Sequence, residues 1–429
     1  VGTLTRRRLL TGATAILGAV GTRPARAAAP TLRICQSTHP VPEFDDWFDR
    51  KFAREWGERN GAQVVVEHVS ANDLRARAAM DVAARRGHDL FAFLDPPASF
   101  LPHALPLDDV VAECEQRFGK LVAPLSRATY DARTRHHFAL AGSWTPAPLH
   151  YRTDWWEEAG VRPDTWEHIV DGARKIKARH GMPAGFGLAP EIDSNAVLRG
   201  LLWAHGATEQ DEAGQLRINS RETVEAVRLM TAIFREAMTP DVFTWDQSSN
   251  NRLYVSGRTS IIQNGVSALR TAERQNPDVA RKTALVPAAA GPRARLGCVQ
   301  RVQCYVVWKF AEQRDLARRF LVDLVAAGPE AFRASEFYDL PAFPRAVPDL
   351  KARLGADRPY QPLADAGQWS AVPGHPGPAS GAIDEAVHRH VVPRMFARAA
   401  RGEQTAEASV RQAEGEMKQL YSRWSERTS

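Results

Sequence analysis

The sequence predicts an α/β protein of two or more domains, and three observations carry that prediction. Its 429 residues suffice for more than one sizeable core. Through the first third, short apolar runs alternate with amphipathic segments, the spacing of parallel βαβ units. The composition, 44% hydrophobic and 25% charged, is that of a globular chain.

The elements follow in order. TLRICQS at 31–37 reads as a strand. Phe44, Trp47, Phe48, Phe52 and Trp56 then recur at helical spacing, and Gly61 stops that helix. AQVVVEHVS is strand-like, and ANDLRARAAMDVAARRG is a helix capped by Asn72 or Asp73. HDLFAFLD is a buried type of strand ending at Asp95-Pro96-Pro97.

In YRTDWWEEAGVRPDTW, Thr153 or Asp154 caps a short helix that Gly160 closes, and Thr165 caps the next. Trp155, Trp156 and Trp166 then read as core residues. Asn219 with Glu222 has capping-box spacing ahead of a helix with one apolar face. TSIIQNG, KTALVPA and QCYVVWK read as strands, and DLARRFLVDLVAA as an amphipathic helix. A Pro/Gly-rich stretch at 341–381 leads into a helical tail. No internal repeat is present.

The formal charge of +6 does not indicate a nucleic-acid partner. Residues 1–29 carry Arg6, Arg7, Arg8, Arg23 and Arg26 and no acid; the remaining 51 basic residues face 50 acids, near +1. A basic cluster, an apolar run from Leu9 to Val20 and Ala25-Arg26-Ala27 read as an export signal of the twin-arginine kind, cleaved near Ala27 to Ala29. That run is too short to span a bilayer. The expected location is the periplasm. Cys35, Cys114, Cys298 and Cys304 form no CxxC pattern, and four buried free thiols are expected. On one strand Cys298 and Cys304 would stand roughly 20 Å apart, beyond disulfide reach.

LHYRTDWWEEAGVRPDTWEHIVDGARKIK resembles the most typical stretch of family 1 extracellular solute-binding proteins of ABC importers, with Arg152 in place of the usual Asn. HDLFAFLDPP, NSRETVEAVRLMTAIF, LYVSGRTSIIQNGVSAL, CYVVWKFAEQRDLARRFLVDLV and RGEQTAEASVRQAEGEM are similar to further family segments in the same order. The resemblance implies a two-lobe periplasmic-binding-protein fold of type II, with several chain crossings and a ligand cleft between lobes. It implies crossings near Gly142, Val286–Ala290 and Leu340–Pro344. The first lobe would then hold 30–142 and 290–340, the second 143–289 and 341–429. A small-molecule ligand and ABC permease subunits are the implied partners, with no cofactor and a monomeric state.

A polar ligand in a cleft needs an aromatic face and a few oriented hydrogen bonds, which loops at strand ends supply. Gln36, Ser37, Thr38 and His39 follow the first strand, and Asp95 a later one. Trp144 and Thr145 sit at the first crossing. Asn264 and Gly265 match the family's Asn-Gly site. Arg301 precedes the last first-lobe strand, and Trp369 and His375 lie in an irregular segment whose family counterpart reaches the cleft. Val266-Ser267-Ala268 stands where many sugar-binding relatives carry a tryptophan. Arg301 raises an anionic solute as the alternative to a carbohydrate.

An exported enzyme is the rival class, and a periplasmic sensor on the same fold a third. His136-His137 and His388-x-His390 invite a metal reading. No HExxH, CxxC, GxSxG or GxGxxG accompanies them.

Overall fold

The computed structural model describes residues 29–356 and 358–428. The export signal expected at 1–29 lies outside the described residues, save for Ala29.

The described residues build fourteen strands: β1 Thr31–Ser37, β2 Gln63–Val69, β3 Leu90–Phe93, β4 Tyr130–Asp131, β5 His136–His137, β6 Leu140–Thr145, β7 Leu149–Arg152, β8 Ala184–Gly185, β9 Ile261–Gln263, β10 Thr283–Val286, β11 Gly297–Cys298, β12 Arg301–Val307, β13 Leu340–Pro341 and β14 Ser370–Ala371. The first sheet runs β13-β6-β12-β3-β1-β2, and the second β10-β7-β9-β8. β1 pairs in parallel with β2 and β3, as the βαβ reading requires. β12 is antiparallel to both of its neighbours, β3 and β6. It can be, because it arrives from the other lobe rather than from a crossover helix.

Each sheet anchors its own core. Phe48, Trp56, Phe91, Phe93, Trp308, Phe320 and Phe343 are fully buried around the first. Trp156, Phe186, Leu201, Met230, Met395 and Phe396 fill the second. The second core also encloses an ion pair, Arg199 Nη2 to Glu209 Oε1 at 2.8 Å, with both side chains wholly buried. Asn195 Oδ1 accepts a further Arg199 hydrogen bond.

The local signals act mostly where the sequence places them. The helix through Phe44 and Trp56 runs on to Asn60 by way of a π-helical stretch, Phe48–Ala53, and Gly61 ends it at φ 61°. The Thr165 hydroxyl accepts the His168 N–H at 3.1 Å and caps the helix Trp166–His180. Trp156 and Trp166 are buried, and the Trp156 indole donates to the Ser260 carbonyl at 3.1 Å. Trp155 is only half-buried, with the Arg152 guanidinium 3.9 Å over its ring and the His180 ring stacked at 6.0 Å. All four cysteines are buried and free.

Three caps differ. Ser220 rather than Asn219 caps its helix, accepting from the Thr223 N–H at 3.1 Å. Neither Thr153 nor Asp154 caps the helix Thr153–Glu158: the Thr153 hydroxyl donates to the Lys282 carbonyl at 3.2 Å, and Arg152 engages the Asp154 carboxylate with two donors at 3.1 and 2.7 Å. Asp73 precedes the helix Leu74–Ala84 but spends its carboxylate on the Ser70 hydroxyl at 2.6 Å.

Three passages between the cores stand out, the first just beyond Gly142, while Leu285 and Ala288 pack in the first core and Val286 and Ala289 in the second, so the expected stretch Val286–Ala290 also lies between the two. Thr145 closes β6 in the first sheet and Leu149 opens β7 in the second. Cys298 belongs to the second core and Val299 to the first; Ala371 and Val372 divide in the same way. These crossings are laced together. The Val299 N–H donates to the Ala371 carbonyl and the Gln300 N–H to the Thr145 carbonyl, both at 2.9 Å. Gly142 is therefore not the bend. It lets the Tyr305 ring approach, since a Cβ there would stand 2.9 Å from Cε2. The segment 344–369 stays with the first core through Phe343, Leu354, Tyr360, Leu363 and Trp369 instead of leaving it at 340–344.

Candidate ligand-binding site

Where the lobes meet, polar side chains from both converge on Asn264. This residue follows β9 and is 1% exposed. Its amide Nδ2 faces Asn251 Oδ1 at 2.6 Å, Asn250 Oδ1 at 2.9 Å and Asp193 Oδ2 at 3.2 Å. Gln300, at the second crossing, completes the cluster. Its Nε2 donates to Asp193 Oδ1 at 2.6 Å and Asn264 Oδ1 at 2.7 Å, and its Oε1 accepts the Gly265 N–H at 2.7 Å. Gly265 must be glycine for this approach: a Cβ would stand 2.3 Å from Gln300 Oε1 and 2.7 Å from Thr145 Cγ2.

Asp193 lies in the first turn of the helix Ile192–Ala204, which the Glu191 carboxylate caps by accepting the Asp193 and Ser194 N–H groups at 2.6 and 2.5 Å. Burial pushes the Asp193 carboxyl up to about 7, against the hydrogen bonds of Gln300 and Asn250. Burial and the neighbouring Asp193 charge raise Glu191 as well.

The first lobe contributes a second polar group. His39 Nε2 lies 3.0 Å from Asp339 Oδ2, and the Thr145 hydroxyl donates to Asp339 Oδ1 at 3.2 Å. Burial alone would raise the Asp339 carboxyl, but the charges of His39 and Arg301 hold it below the usual carboxylate range. The Arg301 guanidinium stands 5.7 Å from the centre of the Tyr338 ring. Several buried polar atoms on elements that end at the seam lack a partner among the described residues: both amide atoms of Gln36, the indole N–H of Trp144 and the hydroxyl of Ser370.

The structure thus brings Thr145, Asn264 and Gly265 into one network, with His39 and Arg301 beside Asp339. Ser37 is buried at the end of β1, and Trp144 is buried between Val302 and Leu340 on the neighbouring strands. Four residues stand apart. Thr38 is exposed and donates its N–H to the Val69 carbonyl. Asp95 is engaged by Arg75 and His388. Trp369 packs in the first core and donates to the Pro362 carbonyl at 3.2 Å. The His375 ring lies 5.5 Å from that of Trp203, its pKa lowered by burial and by Arg127.

Sequence reasoning missed Asp193, Asn250, Asn251, Gln300, Tyr338 and Asp339. The doublet Asn250-Asn251 and the Gln300-Arg301 pair were the available signals. Asp193 gave none, since one acid in a first helical turn is ordinary.

Two α/β lobes, laced by three crossings around a polar seam, define the class of two-lobed periplasmic binding proteins of type II. The chain belongs to the bacterial extracellular solute-binding protein family, which it matches over residues 41–327, more than half its length. It is similar to a protein of T. maritima solved with maltose, at 18% identity and a TM-score of 0.75 over 91% of this chain and 100% of that one. A sugar transporter from Arthrobacter chlorophenolicus A6 with bound laminaribiose superposes at 14% identity and a TM-score of 0.74, over 91% and 99% of the two chains. In sequence it is 22% identical over 247 residues to a chain of Brucella abortus (strain 2308) named only as a binding protein. The match takes in 53% of this chain and spans 59% of that relative's length. A lactose-binding protein of Rhizobium radiobacter is 27% identical over 143 residues, 32% of each chain.

Proposed function

We propose that the chain is the substrate-binding component of an ABC importer, closing two lobes on a small carbohydrate-like solute and delivering it to a permease. The observation that carries this reading is the two-sided network at the seam. Asn250, Asn251, Asn264 and Gln300 offer amides that both donate and accept, and Asp193, Asp339 and Thr145 stand beside them. A polyhydroxylated molecule asks for that alternation. The unpartnered atoms of Gln36, Trp144 and Ser370 supply further donors and acceptors. Maltose, laminaribiose and lactose in the names of similar proteins support the same class.

The reading takes the protein as a periplasmic monomer exported by its N-terminal arginine signal, without cofactor and without catalysis. The lobes are taken as 30–145 with 299–369, and 147–298 with 371–429. Ser37, Trp144, Thr145, Asn264 and Gly265 keep their proposed ligand roles, joined by Asp193 and Gln300. Arg301 lies beside the Tyr338 ring and within the field of the Asp339 charge, which favours a neutral solute over an anionic one.

A thermal-shift screen over neutral sugars, polyols, sugar acids, phosphorylated polyols and carboxylates tests this. A ligand of the folded state at 100 times its dissociation constant adds about 2.7 kcal/mol. A neutral saccharide is expected to raise the melting temperature. A response confined to anions would overturn the carbohydrate reading, and chemical turnover of the bound sugar would overturn the non-catalytic one.

A further inference from the structure

A second set of charged groups joins the lobes away from the crossings. Arg75 begins the helix Leu74–Ala84 and Asp95 follows β3; both belong to the first lobe. Asp384 and His388 lie one turn apart on the helix Gly381–His388, whose Ala382, Ile383 and Ala386 are buried in the second core. Arg75 Nη2 meets Asp384 Oδ1 at 2.5 Å and Asp95 Oδ1 at 3.1 Å, and its Nη1 meets Asp384 Oδ2 at 3.2 Å. The Ser99 N–H donates to Asp384 Oδ2 at 2.8 Å. His388 Nε2 closes the set, 2.6 Å from Asp95 Oδ2 and 3.4 Å from Asp384 Oδ1. Every contact of Arg75 with Asp384, and of His388 with Asp95, passes from one lobe to the other.

Asp95, Asp384 and His388 could hold a divalent cation, their three ligand atoms lying within 4.8 Å of one another. Arg75 argues against it. Its guanidinium lies on the oxygens a metal would take, and two carboxylates with Arg75 and a protonated His388 are already balanced in charge. Separating the lobes would return each ion to water, but the Arg75 fork also lies against the rings of Phe93 and Phe100 at 5.8 and 5.7 Å, which hold it in place.

We propose that Arg75, Asp95, Asp384 and His388 form an ionic clasp that holds the lobes closed without touching the ligand. Asp95 is thereby a positioning residue for closure and not a ligand contact. The clasp requires His388 to carry its proton. Of the groups facing His388, Asp95 and Asp384 favour the cation, while Arg75 and burial oppose it. His390, at the start of the next helix, is held low by burial and by His388, and the buried Cys304 thiol stays protonated. The balance raises His388 to about 9. A raised cationic pKa stabilises the closed form fully below the ordinary value near 6.5, and that contribution is lost as pH rises through about 9. Burial opposes ionisation of Asp95 and Asp384, but Arg75 and His388 depress both carboxyls, so their share is lost only in strong acid.

The test is small-angle scattering on the mature protein without added solute, from pH 6 to 10.5, so it stands apart from the identity of the ligand. Without solute the lobes open and shut, and the closed share is expected to be largest below about pH 7 and to fall as pH passes about 9, so that the mean radius of gyration grows. Arg75→Gln is expected to be open already at pH 7, with Arg75→Lys as the milder variant should Arg75→Gln fail to fold. His388→Lys keeps a cation in place and is expected to stay closed past pH 9. One radius for wild type and all variants at every pH would overturn the clasp. Compaction that needs added zinc and is lost with chelator would overturn it in favour of a metal site.

Discussion

Gln300 Nε2 donates to Asp193 Oδ1 at 2.6 Å while the Gln300 backbone N–H holds the Thr145 carbonyl at 2.9 Å, so one residue ties the chain crossings to the acid at the seam. Opening the lobes would wet Asp193 and restore its ordinary carboxyl pKa. Its raised value in the closed form means that closure takes up a proton. That contribution to closure is complete below the ordinary value of 3.8 and is lost as pH rises through about 7. Calorimetry of solute binding at pH 6 to the Arg75→Gln variant, whose lobes start apart, in buffers of different ionisation enthalpy is expected to show net proton uptake. Asp193→Asn is expected to abolish that uptake, and an unchanged buffer dependence in the variant would place the proton elsewhere.

Trp144 serves packing and polarity separately. It is 3% exposed on β6, and its indole N–H has no protein partner among the described residues. Trp144→Phe is expected to keep the melting temperature near wild type and lower solute affinity by about 2- to 13-fold, the value of one neutral hydrogen bond. Trp144→Ala is expected to lower both, with a folding cost of about 3–5 kcal/mol measured by urea unfolding.

Trp166→Ala is expected to cost about 3–5 kcal/mol in the same measurement and to leave solute affinity unchanged. The ring is 3% exposed and packs on Phe186 at 5.7 Å, inside the second core.

Glu209→Gln removes one charge from the wholly buried Arg199–Glu209 pair and leaves the guanidinium without its counter-ion. Breaking such a pair costs about 3–5 kcal/mol. A fall of that size in the unfolding free energy is the expected result; a near-neutral variant would show that neutral acceptors, Asn195 among them, satisfy Arg199 without a counter-ion.

Replacing Arg6 and Arg7 together by lysine is expected to leave precursor in the cytoplasm, read by cell fractionation. Normal export of that variant would remove the twin-arginine reading.

The fold was legible because its signals are local. Thr165 marks a helix start with its hydroxyl, Gly61 and Gly160 mark helix ends with their left-handed backbones, and the aromatic spacing of Phe44, Phe48, Phe52 and Trp56 sets the buried face of one helix. The crossings came from a resemblance, which gives the order of segments but not the residue at which the chain changes sheet; the first change falls between Thr145 and Leu149, just beyond Gly142. The site was half legible. Asn264 and Gly265 stood out through a resemblance, whereas Asp193 acquires its meaning only from Gln300, a residue 107 positions away. Asp95 was visible as an acid at a strand end, but Arg75 and His388 decide its company, and they come from opposite lobes.

The lacing of the crossings limits how the molecule can move. Strands joined edge to edge, as Val299 is to Ala371 and Gln300 to Thr145, can twist about their common direction at small cost but cannot slide past one another without breaking those bonds. The two halves are therefore coupled as by a torsion bar. On the proposed reading, a solute would enter and leave by rotation about one fixed axis, and a permease gripping both halves would read the occupancy of the cleft as a single angle.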